Sequence, residues 1–210
     1  MTSILKYGTF FLFWAMPFMA NAQKATQQSL AAENITNIVI DADEVFSISI
    51  KASKRKNILI TTRSQGEYFQ EIRLKSHVEN HTLFLASEFR EILTSGYDKL
   101  SAHKVYSFQV KLEIPKNLEV LVFSNIASVE ASGDFKTFEA ELKSGSCSLK
   151  NFSGNAILNT YNGNIFVKTA PATIEATSRN GKVTVPTGFS GKNHIRAKSI
   201  HGNILVEKIE

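Results

Sequence analysis

The sequence predicts an all-β protein whose second half is a single-stranded β-solenoid, or β-helix, with 18 residues in each coil. Three observations predict it. Small apolar pairs return every nine residues across 120–206, as Val120/Val122, Val129/Ala131, Phe138/Ala140, Cys147/Leu149, Ala156/Leu158, Ile165/Val167, Ile174/Ala176 and Val183/Val185. After a slip of three residues the series resumes as Ile195/Ala197 and Ile204/Val206. Two classes of turn alternate along it, so the unit is two nine-residue strand-turn segments. Upstream, apolar and polar residues alternate with the period of two that marks half-buried strands.

The first 22 residues read as an export signal, with Lys6 in a short basic region, an apolar core from Phe10 to Met19, and Ala20-Asn21-Ala22 as a cleavage site. The apolar run is too short to span a bilayer, and it contains Pro17. Cleavage leaves a 188-residue chain with a formal net charge of +4. That charge is spread out. The one tight basic run, Lys54-Arg55-Lys56, reads as a solvated turn, so nucleic acid is not an expected partner. Cys147 is the only cysteine, which leaves stability to packing, and its inward position makes it a buried small hydrophobe rather than a nucleophile.

Residues 23–36 are rich in Gln and Ala without an apolar face, and are expected to form a flexible leader. Residues 37–117 are expected to form an N-terminal strand region that continues or caps the solenoid, with Ile38/Ile40, Phe46/Ile48/Ile50, Ile58/Ile60, Ile72/Leu74 and Leu83/Leu85 on the apolar faces. Residues 88–104 break the alternation and read as a long loop. A further strand follows with Tyr106, Phe108, Val110, Leu112 and Ile114 on one face, and Pro115 ends it because proline cannot donate to a ladder.

The repeat region, 118–210, turns at Ser144-Gly145-Ser146, Asn162-Gly163-Asn164, Asn180-Gly181-Lys182 and His201-Gly202-Asn203, where glycine is expected to supply a positive φ. The intervening corners use Ser153-Gly154-Asn155 and Pro171-Ala172. An antiparallel meander or sandwich is the alternative architecture, because Asn-Gly between alternating strands is a hairpin signal. Burial favours the solenoid. Only one face of these strands is apolar, and a coil buries that face within itself, whereas a flat meander leaves it uncovered. The expected stacks are Cys147, Ile165, Val183 and Ile204 on one side, and Phe138, Ala156, Ile174 and Ile195 on the other. Residues 186–191 account for the slip as a lengthened surface turn.

The export signal, the strand ending in Leu112-Glu113-Ile114-Pro115 and the following glycine-turn coils together resemble the putative-adhesin domain family of bacterial envelope proteins, over Asn37 to Ile209. The resemblance implies an exported all-β protein with an adhesive role, located in the periplasm or at the cell surface. The family's activity is largely undefined, and it offers no catalytic motif to carry over.

The turns lack the recurring aspartates that a calcium-binding nonapeptide roll needs, and the five histidines are scattered singly, so no metal or cofactor is expected. Outward-facing aromatics are the binding candidates. Tyr161 and Phe166, with Arg179 and His201 in neighbouring turn columns, form the candidate site for a protein or glycan partner, and Phe123 is a third outward ring. Such rings also have a structural explanation, coverage by the 88–104 loop. The leading reading is a non-enzymatic adhesin-like scaffold. The alternative is a carbohydrate-active lyase or hydrolase that gathers Glu139, Glu141 and Glu175 on the outer face near Arg196. Finally, Ile204 to Glu207 is the last strand in sequence, and its open edge is a candidate for self-association.

Overall fold

The computed structural model describes residues 23–66, 71–89 and 106–209, and every regular element within them is a β-strand. The expected export signal at 1–22 lies outside the described residues, as does the 90–104 part of the expected loop.

The N-terminal region contains β1 (Gln23–Ala31), β2 (Asn37–Asp41), β3 (Ser47–Ser53), β4 (Asn57–Gly66), β5 (Ile72–Glu79), β6 (Thr82–Phe89), β7 (Tyr106–Pro115) and β8 (Glu119–Ser124). Alternation decides which side of each strand is buried. In β3, Ile48, Ile50 and Ala52 are buried, while Ser47 and Lys51 face water; Phe46, expected on the same face as Ile48, precedes the strand and is 45% exposed. The segment expected to be a flexible leader is largely β1, which pairs antiparallel with β4 from Gln23–Gln65 to Ala31–Asn57. Its sequence hides this because an edge strand needs only backbone partners. Leu30 alone packs partly against the core, and Thr26 shares a 2.6 Å hydroxyl contact with Thr62.

The repeat region contains β9 (Ser128–Ser144), β10 (Cys147–Asn162), β11 (Ile165–Thr169), β12 (Ala172–Ser178), β13 (Val183–Thr184), β14 (Asn193–His201) and β15 (Ile204–Lys208). Its strands pair parallel, and up to β11 they do so at the expected 18-residue offset. Val129 faces Cys147, Cys147 faces Ile165, and Phe138 faces Ala156. The strands fall into two ladders, and β9 and β10 are long enough to turn a corner and serve in both. One ladder runs β5, β6, β2, β8, β9, β10, β14, β12, and the other β1, β4, β7, β3, β9, β10, β11, β15, β13. Their inward side chains form one core, with Phe135, Phe138 and Phe152 packed ring to ring at 5.4–6.3 Å. Cys147 is fully buried within it, and burial pushes its thiol pKa up to about 12.

The order of the last strands departs from the expected stacks. Ala156 pairs with Ile195, and Ile195 in turn pairs with Ile174. Likewise Ile165 pairs with Ile204, and Ile204 with Val183. Strands β14 and β15 therefore lie between the preceding strands and β12–β13, which become the end of the stack. The expected lengthened turn at 186–191 is the return path that permits this insertion. Gly191 passes so close to Pro171 that a Cβ there would overlap the Pro171 carbonyl oxygen. The expectation that Ile204 to Glu207 forms the open edge is corrected accordingly. Strand β15 is flanked by β11 along its length and by β13 at Ile204 and Leu205.

The repeat glycines also serve a different purpose from the one expected. Of the four, only Gly145 has a positive φ, 107°. A Cβ on Gly163 would overlap the carbonyl oxygen of Gly145, one on Gly202 that of Gly163, and one on Gly181 that of Gly202. Close backbone stacking is what excludes a side chain at these corners. The same glycine column reads out the interleaved order independently of the strand pairing.

Candidate binding cleft

Outward side chains of the first ladder line up in rows across the strands, because parallel partners in register point the same way. One row reads Asp41, Phe123, Glu141, Asn159, Lys198 across β2, β8, β9, β10 and β14. Beside it lie Asp43, Asn125, Lys143, Tyr161 and Ile200 near the glycine corner, and the two sets line a shallow cleft of about 630 Å³. Small buried hydroxyl residues set its floor. Ser124 donates to the Ala42 carbonyl at 2.7 Å and accepts from the Ala127 amide at 3.0 Å, which fixes the corner after β8. Thr160 and Ser199 donate to the Gly163 carbonyl at 2.9 and 3.1 Å, which fixes the corner after β10 and β14.

Two aromatic rings are presented there. Phe123 is 36% exposed and Tyr161 is 53% exposed. Phe123 stands between Asp41 and Glu141, each one strand away, so a carboxylate flanks the ring on either side at about 4.8 Å of strand spacing. Tyr161 is braced by His201, whose ring meets it edge-on with centroids 5.6 Å apart, and Asn180 contacts His201 Nδ1 at 3.2 Å.

The charged groups of the cleft differ from the ion-paired ones on the outer surface. Elsewhere, cross-strand ion pairs join Glu119 to Lys136 at 2.7 Å, Glu130 to Lys150 at 2.5 Å, Glu175 to Arg196 at 2.9 Å, and Asp134 to Lys116. The Arg196 guanidinium holds the Glu175 carboxyl below the usual carboxylate range. Among the described residues, Asp41, Asp43 and Glu141 belong to no such pair, and neither do Lys143 and Lys198. Their hydrogen-bonding capacity is left to a ligand or to water, apart from the Asp43 carboxylate, which accepts from the Asn125 amide at 3.1 Å.

The sequence-derived candidates divide between two faces. Tyr161 and His201 come together at the cleft. Phe166 belongs to the other ladder, half-buried between Ser148 and Leu205. Arg179 sits exposed beyond the end of β12, with its backbone amide on the Ser199 carbonyl at 3.0 Å. Glu139, Glu141 and Glu175 do not converge. Between Glu139 and Glu175 stand Ile157 and Arg196, a separation of three strand spacings, about 14 Å. Asp41 and Asp43 were missed as site residues because they are brought to Phe123 only by the pairing of β2 with β8, between strands far apart in sequence. The local signal was an acidic turn at the end of an alternating strand.

No protein-family model matches the chain, and no curated protein sequence matches it. Solved structures do. A putative cell adhesion protein from Clostridium sporogenes ATCC 15579 superposes with a TM-score of 0.63 at 13% identity, covering 89% of this chain and all (100%) of the other. The two chains share a fold. A putative adhesin from Bacteroides fragilis NCTC 9343 matches over 89% of this chain and 97% of its own, at 12% identity and a TM-score of 0.37. A putative adhesin from Parabacteroides distasonis ATCC 8503 matches over the same shares at 14% identity and a TM-score of 0.29. At 13% identity the likeness to the Clostridium protein extends to architecture and not to residues of the cleft. The structure whose fold is shared is named as a putative cell adhesion protein.

Proposed function

We propose that this protein is a non-enzymatic, exported, adhesin-like scaffold that binds a glycan in the cleft between Phe123 and Tyr161. The observation that carries the reading is the combination of two exposed rings with unpaired carboxylate, amide and ammonium groups in one cleft. Sugar rings offer apolar faces to stack on aromatics and hydroxyls that bond to carboxylates and amides. The parallel 18-residue offsets support a β-solenoid over 118–210, with 37–117 continuing it. The export signal read at 1–22 supports a location in the periplasm or at the cell surface, and the name of the Clostridium structure that shares the fold agrees with a surface role. A structure shared at 13% identity supports the architecture of this reading and not its ligand.

The test is a glycan array probed with residues 23–210, followed by a reducing-end assay on each glycan retained. Binding without release of new ends is the expected result. Release of reducing ends or of unsaturated products would favour the lyase or hydrolase alternative, and failure to retain any glycan would sink the glycan reading.

A further inference from the structure

We infer that the end of the stack, along β12, docks an extended strand of a partner protein that carries acidic residues at both ends. Three features of this edge support the inference. Among the described residues, strand β12 is bonded to β14 on one side and to no strand on the other over its seven residues, Ala172–Ser178. An unpaired parallel edge is a template for strand addition, in which backbone bonds give affinity and alternate side chains enter pockets.

The core is open at this edge. Inward positions in the rungs beneath are sealed, with Ala156, Ile195, Cys147, Ile165 and Ile204 each at 1% exposure or less. The equivalent residues at the end are Ile174 and Ala176, half-buried, and Val183 and Val185, exposed at 37% and 36%. Phe189 of the return loop packs against the core without closing it. A strand added beside β12 would set its own small apolar residues over Ile174 and Ala176, extending the column by one rung.

Charge selects the occupant. Lys192 lies at one end of β12, next to the partner of Ala172, and Arg179 and Lys182 lie at the other. Among the described residues none of the three has a carboxylate within ion-pair distance, whereas Glu175 in the middle of the strand is already paired with Arg196. The edge is therefore neutral at its centre and positive at both ends. A second copy docked antiparallel through its own β12 would set Lys192 against Arg179 at each end, and like charges there oppose it. A strand with acidic ends meets both cationic groups.

The probe is a blocked synthetic peptide in which valine and threonine alternate between terminal glutamate pairs, with a lysine-flanked peptide of the same core as its control. Fluorescence anisotropy on residues 23–210 is expected to show the glutamate peptide binding about tenfold more tightly than the lysine peptide. The Arg179→Glu, Lys182→Glu, Lys192→Glu triple variant changes only exposed side chains and is expected to reverse that preference. Equal binding of the two peptides, binding that the triple variant leaves unchanged, or no binding of either would each overturn the proposal. So would sedimentation showing a dimer that the triple variant strengthens and neither peptide disrupts, since the occupant would then be a second copy.

Discussion

Ala156 lies beside Ile195 in the stack, although Ile174 is the residue one repeat further along the chain. The relationship means that the repeat period specifies which residues face inward while leaving the order of the rungs open. It can be tested on the outer face. Cross-strand neighbours about 4.8 Å apart are within disulfide reach, and residues two strands apart are not. Asn159→Cys with Lys198→Cys is expected to oxidise to an intramolecular disulfide visible by mass spectrometry. Asn159→Cys with Thr177→Cys, the pair that sequential stacking would make adjacent, is expected to stay reduced.

The glycine corners give a second prediction, because space and backbone conformation separate cleanly there. Gly163→Ala forces a Cβ into the Gly145 carbonyl and is expected to cost about 2 kcal/mol or more of unfolding free energy. Gly188→Ala has open space around it but a φ of +69°, and is expected to cost about 1 kcal/mol. Urea titrations of the two variants against the parent chain measure the difference.

Core packing gives a third. Phe138 is fully buried against Phe135 and Phe152, and Phe138→Ala is expected to destabilise the chain by about 3–5 kcal/mol. Ile174→Ala, at the half-buried end of the same ladder, is expected to cost well under half of that. A similar loss at both positions, read from denaturation midpoints, would contradict an open stack end.

A fourth concerns pH. Lys111 and then Arg55, which approaches at 2.6 Å, hold the Glu113 carboxyl below its ordinary value of 4.5. A carboxyl depressed in the folded state contributes stability that is present above its unfolded pKa and is lost as pH falls through the folded one. Arg55→Met is therefore expected to lower the melting temperature at pH 7, and the gap from the parent chain is expected to shrink below pH 4.5. A gap independent of pH would assign the effect to packing of the arginine stem.

Much of this architecture was legible in the chain. Inward positions from Val120 to Val167 are all buried, as their alternation predicts. Strand β1 was not legible, because Gln23–Ala31 is held by backbone bonds to β4 and carries almost no apolar signal. Nor was the interleaving, since Ile174 and Ile195 are chemically equivalent as rung residues and nothing local ranks them. The slip before Ile195 was visible, but its meaning depends on where Gly191 crosses Pro171. At the candidate site, Tyr161 and His201 were recognisable from their turn columns. Phe166 was not separable from them, because five residues of sequence carry the chain around a corner to the other ladder.

The most direct test of the central claim is the affinity of an array-identified glycan for residues 23–210 and three single variants, measured by titration calorimetry. Phe123→Ala and Tyr161→Ala are each expected to weaken binding about tenfold, the weight of one lost stacking contact, while Phe166→Ala leaves it unchanged. Binding that survives both cleft variants, or that is lost on Phe166→Ala alone, would contradict a site in the cleft.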